Sequence, residues 1–361
     1  MLSGRRHPPG RRGLLLRVRL LQVRKKVFNV IQHEFTCHSP TDLNQAYAWA
    51  ERMKDSIYLA GGTDLVPLMK YGVKKPENLI RLDHLPELKI IEKRKGGLYV
   101  GAMLTLWEIQ RHPLIKAEFP SLRLACQKVA SPQIQSQGTL GGNLLQDRRC
   151  IYYNQSEEWR SSISLCYKTG GTMCHQAPAS DYCKALYYSD VAPVLWSLGA
   201  RAVVFDGDEK WMPVEELIQE HVERNGLVKR EKRILKGFWI PQPPERALMK
   251  FEKLSLRGSL VFPVMNIAFQ LSPSLEGIQG SLVVGGTAPA PILLEKTVKR
   301  MELSKAFTPE ERKKTGELAL EELLEKSQLV RESGISLKVK RNTLKHVSTV
   351  VEQLMETEVW S

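Results

Sequence analysis

A chain of 361 residues is long enough for two or three domains with cores of their own. At 42% hydrophobic and 25% charged the composition is globular, and with no apolar run of membrane-helix length and no signal peptide the chain reads as soluble and cytoplasmic. The net charge of +14 suggests nucleic acid until it is located: nine Lys or Arg and no acid fall in residues 1–30, and no basic helix with interleaved aromatics follows, which excludes a polynucleotide partner.

Arg17 and Arg19 interrupt the apolar residues after Gly13, against a signal peptide, and serine is too scarce for a transit peptide. Residues 1–30 therefore read as a basic, unstructured extension. Folded sequence begins near His33-Glu34-Phe35, and Ser39-Pro40-Thr41-Asp42 turns into a helix carrying Leu43, Ala46, Ala48 and Ala50. Ile57-Tyr58-Leu59 is a short strand ending at Gly61-Gly62, and a helix through Leu65, Leu68 and Met69 follows. Strands are expected at residues 79–82 and 98–101, then a helix opened by the capping box of Thr105 and Glu108. Beyond a cysteine-rich stretch, residues 191–198 read as a helix and 200–205 as a strand running into a Gly207-Asp208 hairpin turn. A strand over 234–240 stops at Pro241-Gln242-Pro243-Pro244, which marks a domain boundary. Strands at 264–271 and 280–284 precede a helix capped by Thr308-Pro309, with Leu318, Leu320, Leu323 and Leu324 along it. A last helix aligns Leu344, Val347, Val351 and Leu354.

Two glycine loops carry candidate chemistry. In Leu59-Ala60-Gly61-Gly62-Thr63-Asp64-Leu65, between strand and helix, the glycines let backbone approach a diphosphate and the helix-start amides face the anion. In Gln137-Gly138-Thr139-Leu140-Gly141-Gly142-Asn143, a hydroxyl and an amide join three glycines. Taken alone each is a weak signal, and the first reads sooner as a plain tight turn. Neither matches the nicotinamide or P-loop patterns. A third Gly-Gly-Thr at Gly285-Gly286-Thr287 runs into prolines and is assigned no ligand.

Four of six cysteines, Cys150, Cys166, Cys174 and Cys183, fall within 34 residues with spacing C-x15-C-x7-C-x8-C. That spacing lacks the short knuckle of most zinc ribbons and ferredoxin-like motifs, so by itself it leaves zinc and iron–sulfur both open. Cys37 and Cys126 lie apart and read as packing or spare thiols. His175 beside Cys174 reads as a hydrogen-bonding histidine rather than a fifth ligand, and Tyr152, Tyr153 and Trp159 as shielding or ordinary packing.

The pair A-G-G-T-D-L and G-T-L-G-G-N resembles the FAD-binding medium subunits of the molybdenum hydroxylases, the group of xanthine and carbon monoxide dehydrogenases. The resemblance runs from about residue 30 to the end and takes in Lys253, Arg257-Gly258 and Phe262-Pro263. It implies an α+β fold: a PCMH-type FAD-binding domain of two subdomains over residues 31–241, then a small domain of antiparallel sheet plus helices over 245–361, like that of carbon monoxide dehydrogenase flavoproteins. It implies FAD on Ala60, Gly61, Gly62, Thr63, Asp64 and Leu65 and on Thr139, Gly142 and Asn143, with Asp190, Leu235 and Lys253 as further contacts. Thr63-Asp64 stands where many relatives carry His-Ser, a change that keeps hydrogen-bonding groups. About 40 residues separate the second loop from Ser189-Asp190-Val191-Ala192-Pro193 and hold all four cysteines. This insertion, residues 146–188, resembles that of 4-hydroxybenzoyl-CoA reductase β subunits, which implies a [4Fe-4S] cluster on Cys150, Cys166, Cys174 and Cys183.

The implied function is an electron-transfer subunit with no catalytic acid or base of its own. A ferredoxin-like donor would feed the cluster, then FAD. From there electrons would pass to a small subunit with two [2Fe-2S] clusters and a large molybdenum-cofactor subunit, in a dimer of heterotrimers that reduces 4-hydroxybenzoyl-CoA to benzoyl-CoA. One alternative is the FAD subunit of an aldehyde, xanthine or carbon monoxide dehydrogenase-type hydroxylase. Another is a non-catalytic scaffold stapled by a four-cysteine zinc site.

Overall fold

The computed structural model describes residues 31–224, 232–257, 261–274, 278–304, 307–332 and 336–356; the basic extension and Gly258 lie outside them. Strands β1 (Thr36–His38), β2 (Ser56–Leu59) and β3 (Asn78–Arg81) form a parallel sheet in the order β1-β3-β2. Parallel neighbours need crossovers, and helices supply them. Helix α1 (Leu43–Arg52) starts where the Asp42 carboxylate accepts the Gln45 N–H at 2.9 Å, and it buries Leu43, Ala46 and Ala50. Helix α2 (Leu65–Lys70) follows the first glycine loop.

Next come β4 (Ile91–Arg94) and β5 (Gly97–Gly101), then α3 (Leu106–Arg111), where the Thr105–Glu108 capping box is formed. Three short helices then each begin on a proline: α4 (Pro113–Glu118), α5 (Pro120–Lys128) and α6 (Pro132–Gln135). Helix α7 (Leu140–Leu144) carries the second glycine loop, and α8 (Glu157–Arg160) is one turn within the cysteine segment. After α9 (Val191–Ser197), β6 (Arg201–Phe205) and β7 (Glu209–Pro213) make the expected hairpin, followed by α10 (Val214–Arg224) and β8 (Ile234–Pro241). The five strands form an antiparallel sheet ordered β4-β5-β8-β6-β7. Leu98, Val100, Ile109, Phe119, Leu195 and Phe238 belong to the core between this sheet and its helices.

The chain leaves that sheet at Pro241 and enters another at Leu248. Strands β9 (Leu248–Leu254), β10 (Met265–Pro273), β11 (Ile278–Gly285) and β12 (Ile292–Leu293) are antiparallel, ordered β12-β11-β10-β9. Helices α11 (Glu295–Leu303), α12 (Pro309–Lys326), α13 (Leu337–Leu344) and α14 (His346–Glu356) supply the other side of their core.

Two expectations change here. The last apolar stripe is shared by two helices, with Leu344 ending α13 and Val347, Val351 and Leu354 on α14; all four are buried. On α12 the buried face is Thr315, Gly316, Ala319, Glu322 and Leu323, whereas Leu324 is 43% exposed. Glycine and threonine face inward because another helix approaches too closely for leucine: a Cβ on Gly316 would lie 2.9 Å from the Ser348 carbonyl oxygen of α14. No helix among the described residues is long and apolar enough to cross a membrane.

Candidate functional site

The two glycine loops meet. A Cβ on Gly61 would run into the Gln137 carbonyl oxygen, so the loops touch backbone to backbone because residue 61 has no side chain. Gly62 sits at φ +72°, the left-handed region. The loops use their amides differently. In the second, Leu140 and Gly141 donate to the Leu104 and Ala102 carbonyls and Gly142 donates to the Thr139 hydroxyl at 3.0 Å, so this loop is spent on folding itself. In the first, the N–H groups of Gly61, Gly62, Thr63 and Asp64 have no acceptor among the described residues. Successive unpaired amides make an anion-binding concavity.

That concavity opens on a cleft of about 900 Å³, its mouth included, between the three-stranded and five-stranded sheets. Ala60, Gly61, Gly62, Thr63, Asp64 and Leu65 line one wall, and Thr139, Gly142 and Leu235 the other. Asn143, Asp190 and Lys253 stand behind the wall. The Asn143 Oδ1 accepts from the Ser189 hydroxyl at 2.7 Å. Asp190 and Lys253 form a buried 2.6 Å ion pair, and the Asn266 amide donates to Asp190 at 3.0 Å. Burial pushes the Asp190 carboxyl up against the pull of Lys253. Sequence reasoning missed Tyr58, Met103, Lys74 and Arg233, which also line the cleft. Tyr58 directly precedes the glycine loop and was findable; Lys74 and Arg233 sit in no motif.

Cys150, Cys166, Cys174 and Cys183 line one small cavity of about 270 Å³, its mouth included, with Tyr152, Tyr153, Lys168 and His175. All four are unbonded to one another, and burial pushes the Cys150 thiol up. Among the described residues no three or more His, Cys, Asp or Glu side chains form a group that could hold a metal ion as they stand. The ring of His175 reaches the Ser164 carbonyl oxygen at 2.8 Å. Trp159 is 40% exposed, packs on Tyr152 and does not line the cavity. Of the other two thiols, Cys37 is exposed and Cys126 buried.

Asp147 lies between the two places. Its backbone N–H donates to the Asp64 carboxylate at 3.0 Å, and the Arg149 guanidinium pairs with the same carboxylate. The Asp147 carboxylate, 3% exposed, pairs with the buried Lys168 ammonium and accepts from the Tyr153 hydroxyl at 3.3 Å. Lys74 Nζ stands 3.6 Å from it. Burial alone would raise this carboxyl, but Lys168 and Lys74 outweigh it and hold it well below the ordinary carboxylate range.

The profile of the family described as FAD binding domain in molybdopterin dehydrogenase matches residues 33–243. The aldehyde oxidoreductase FAD-binding subunit PaoB of Escherichia coli is 28% identical over 258 residues, 68% of this chain and 79% of that one. The carbon monoxide dehydrogenase medium chain of Hydrogenophaga pseudoflava is 33% identical over 116 residues, 32% of this chain and 40% of that one. The solved structure of reconstituted CO dehydrogenase from Oligotropha carboxidovorans superposes with a TM-score of 0.66 at 19% identity, covering 90% of this chain and 96% of that one, which shows the shared mixed helix and sheet fold.

Proposed function

Because the chain belongs to the family of FAD-binding domains of molybdopterin dehydrogenases, we propose that it is the flavin-carrying electron-transfer subunit of a molybdenum hydroxylase-type complex. The observation that carries this is the row of amides from Gly61 to Asp64, unpaired among the described residues, on the wall of the cleft, which suits the diphosphate of FAD. Lys74 and Arg233 add positive charge to the walls, while Tyr58, Leu82 and Met103 offer apolar contact for a ring system. FAD, when bound, supplies one- and two-electron chemistry; the chain binds it, orients it and limits its contact with water. Asn143, Asp190 and Lys253 would support it from behind the second loop. The partners would be a molybdenum-binding large subunit and a small subunit with two [2Fe-2S] clusters, in a cytoplasmic dimer of heterotrimers. The aldehyde oxidoreductase FAD-binding subunit and the carbon monoxide dehydrogenase medium chain support the flavin-subunit part of this reading.

A second, narrower reading rests on the cysteines. Four thiols around one cavity match the donor set of a [4Fe-4S] cluster, whose four irons hold their thiolates farther apart than a single ion does. On this reading the chain is 4-hydroxybenzoyl-CoA reductase-like and receives electrons from a ferredoxin-like donor. Anaerobic purification with flavin, iron, acid-labile sulfide and zinc assays decides between them. FAD with iron and sulfide supports the narrower reading. FAD without iron, even after reconstitution, leaves the hydroxylase-type flavoprotein, and zinc with neither iron nor flavin would sink both.

A further inference from the structure

The segment that bears the cysteines is fastened to the wall of the cleft. Outer contacts join them at the surface: Lys75 to Glu157 at 2.5 Å, and the Arg160 guanidinium to the Gly72 carbonyl oxygen at 2.8 Å. The inner contact is of another kind. Asp147 is the one residue named above that touches the first glycine loop, a cation of the cleft and a cation of the cysteine cavity at once. We propose that Asp147 is a positioning residue that couples the two places: its N–H holds Asp64, and its carboxylate holds Lys74 on the cleft wall together with Lys168 on the cysteine cavity, so that filling either one strengthens the other.

The physical reason is that the inner half of the joint, Asp147 with Lys168, has no slack, while the outer half, Lys74 at 3.6 Å with 32% of its side chain exposed, is looser. Asp147 is 3% exposed and the Lys168 side chain 2%, so water does not replace either partner when one moves. A shift of the cysteine segment that displaces Lys168 must move the carboxylate, and with it the N–H that holds Asp64 and the anchor beside Lys74. Linkage makes the effect reciprocal: whatever ordering of the cleft adds to the order of the cysteine segment, the converse adds back. The proposal rests on FAD occupying the cleft and is independent of whether the thiols hold iron.

The test uses the full chain with FAD as probe and two readouts: flavin affinity by fluorescence quenching, and reactivity of the four thiols toward a disulfide reagent (or release of any bound iron to a chelator). In the wild type, saturating FAD should slow thiol reaction or iron release by at least about fivefold, the low end of ordinary coupling between sites. Asp147→Asn at saturating FAD should lose that protection. Lys74→Met, which keeps the carboxylate and the Lys168 pair, should lose it too and guards against an unfolded Asp147 variant. Glu157→Gln, at the surface contact, should keep it. FAD binding without protection in the wild type, or protection undiminished in both Asp147→Asn and Lys74→Met, overturns the proposal. A wild type that binds no FAD removes the cofactor reading and this inference together.

Discussion

Asp147 governs more than position. Its carboxyl is held below the ordinary value of 3.8 because Lys168 and Lys74 overcome the cost of burial. A carboxylate whose folded pKa is depressed contributes stability that is fully present above its unfolded pKa and is lost as pH falls through the folded one. Denaturant unfolding of the wild type should therefore weaken below about pH 4 more steeply than that of Asp147→Asn. At neutral pH the variant should be less stable by about 3–5 kcal/mol, the cost of an unpaired buried ammonium. Parallel acid limbs would show that the carboxylate is not depressed. Residues of this kind are hard to read from a sequence. Thr105 and Glu108 are three apart and announce their capping box, and the glycines announce their loops. Asp147, Lys74 and Lys168 are distant in sequence and meet through folding alone.

At the scale of elements, segments with an apolar run, cap or turn signal were legible, and the short helices between Pro113 and Gln135 were not. The helix at Leu43, the strand before Gly61, the Gly207-Asp208 hairpin and the Thr308 cap all formed where their signals lay. The one-turn and two-turn helices opened by Pro113, Pro120 and Pro132 are too short to show a period, although proline at the first helical position is itself a start signal. The leucine pattern on α12 misled for a related reason: a small-residue face that packs close to another helix looks polar in sequence. Gly316 is the test. Substituting leucine there drives a side chain into Ser348 and Glu352 of α14 and should cost about 1–3 kcal/mol, read as a lowered denaturation midpoint. By contrast Leu324→Ala, at an exposed position of the same helix, should change stability by less than about 0.5 kcal/mol.

For the whole molecule, the cleft lies between two sheets, with an apolar cluster at the three-stranded one that also takes in Phe205 and Ile234 of the five-stranded one, and a ligand held by both walls binds the native state and not the unfolded chain. FAD should therefore raise the thermal midpoint in a concentration-dependent way, by the equivalent of about 2.7 kcal/mol at a hundred times its dissociation constant. A midpoint indifferent to FAD would contradict the assignment of the cleft. The sequence by itself determined the two glycine loops, the mixed α and β character, the bunching of four cysteines and the confinement of much of the charge to residues 1–30, because each is a local pattern or a count. Tertiary structure decided the rest. It separated loop amides that remain free to bind an anion from those already used in folding, set Asp190 and Lys253 behind the wall as a buried pair, and drew the four thiols around one cavity. Those outcomes depend on which distant backbones touch, and contact between segments some 80 residues apart leaves no periodicity in the chain that makes it.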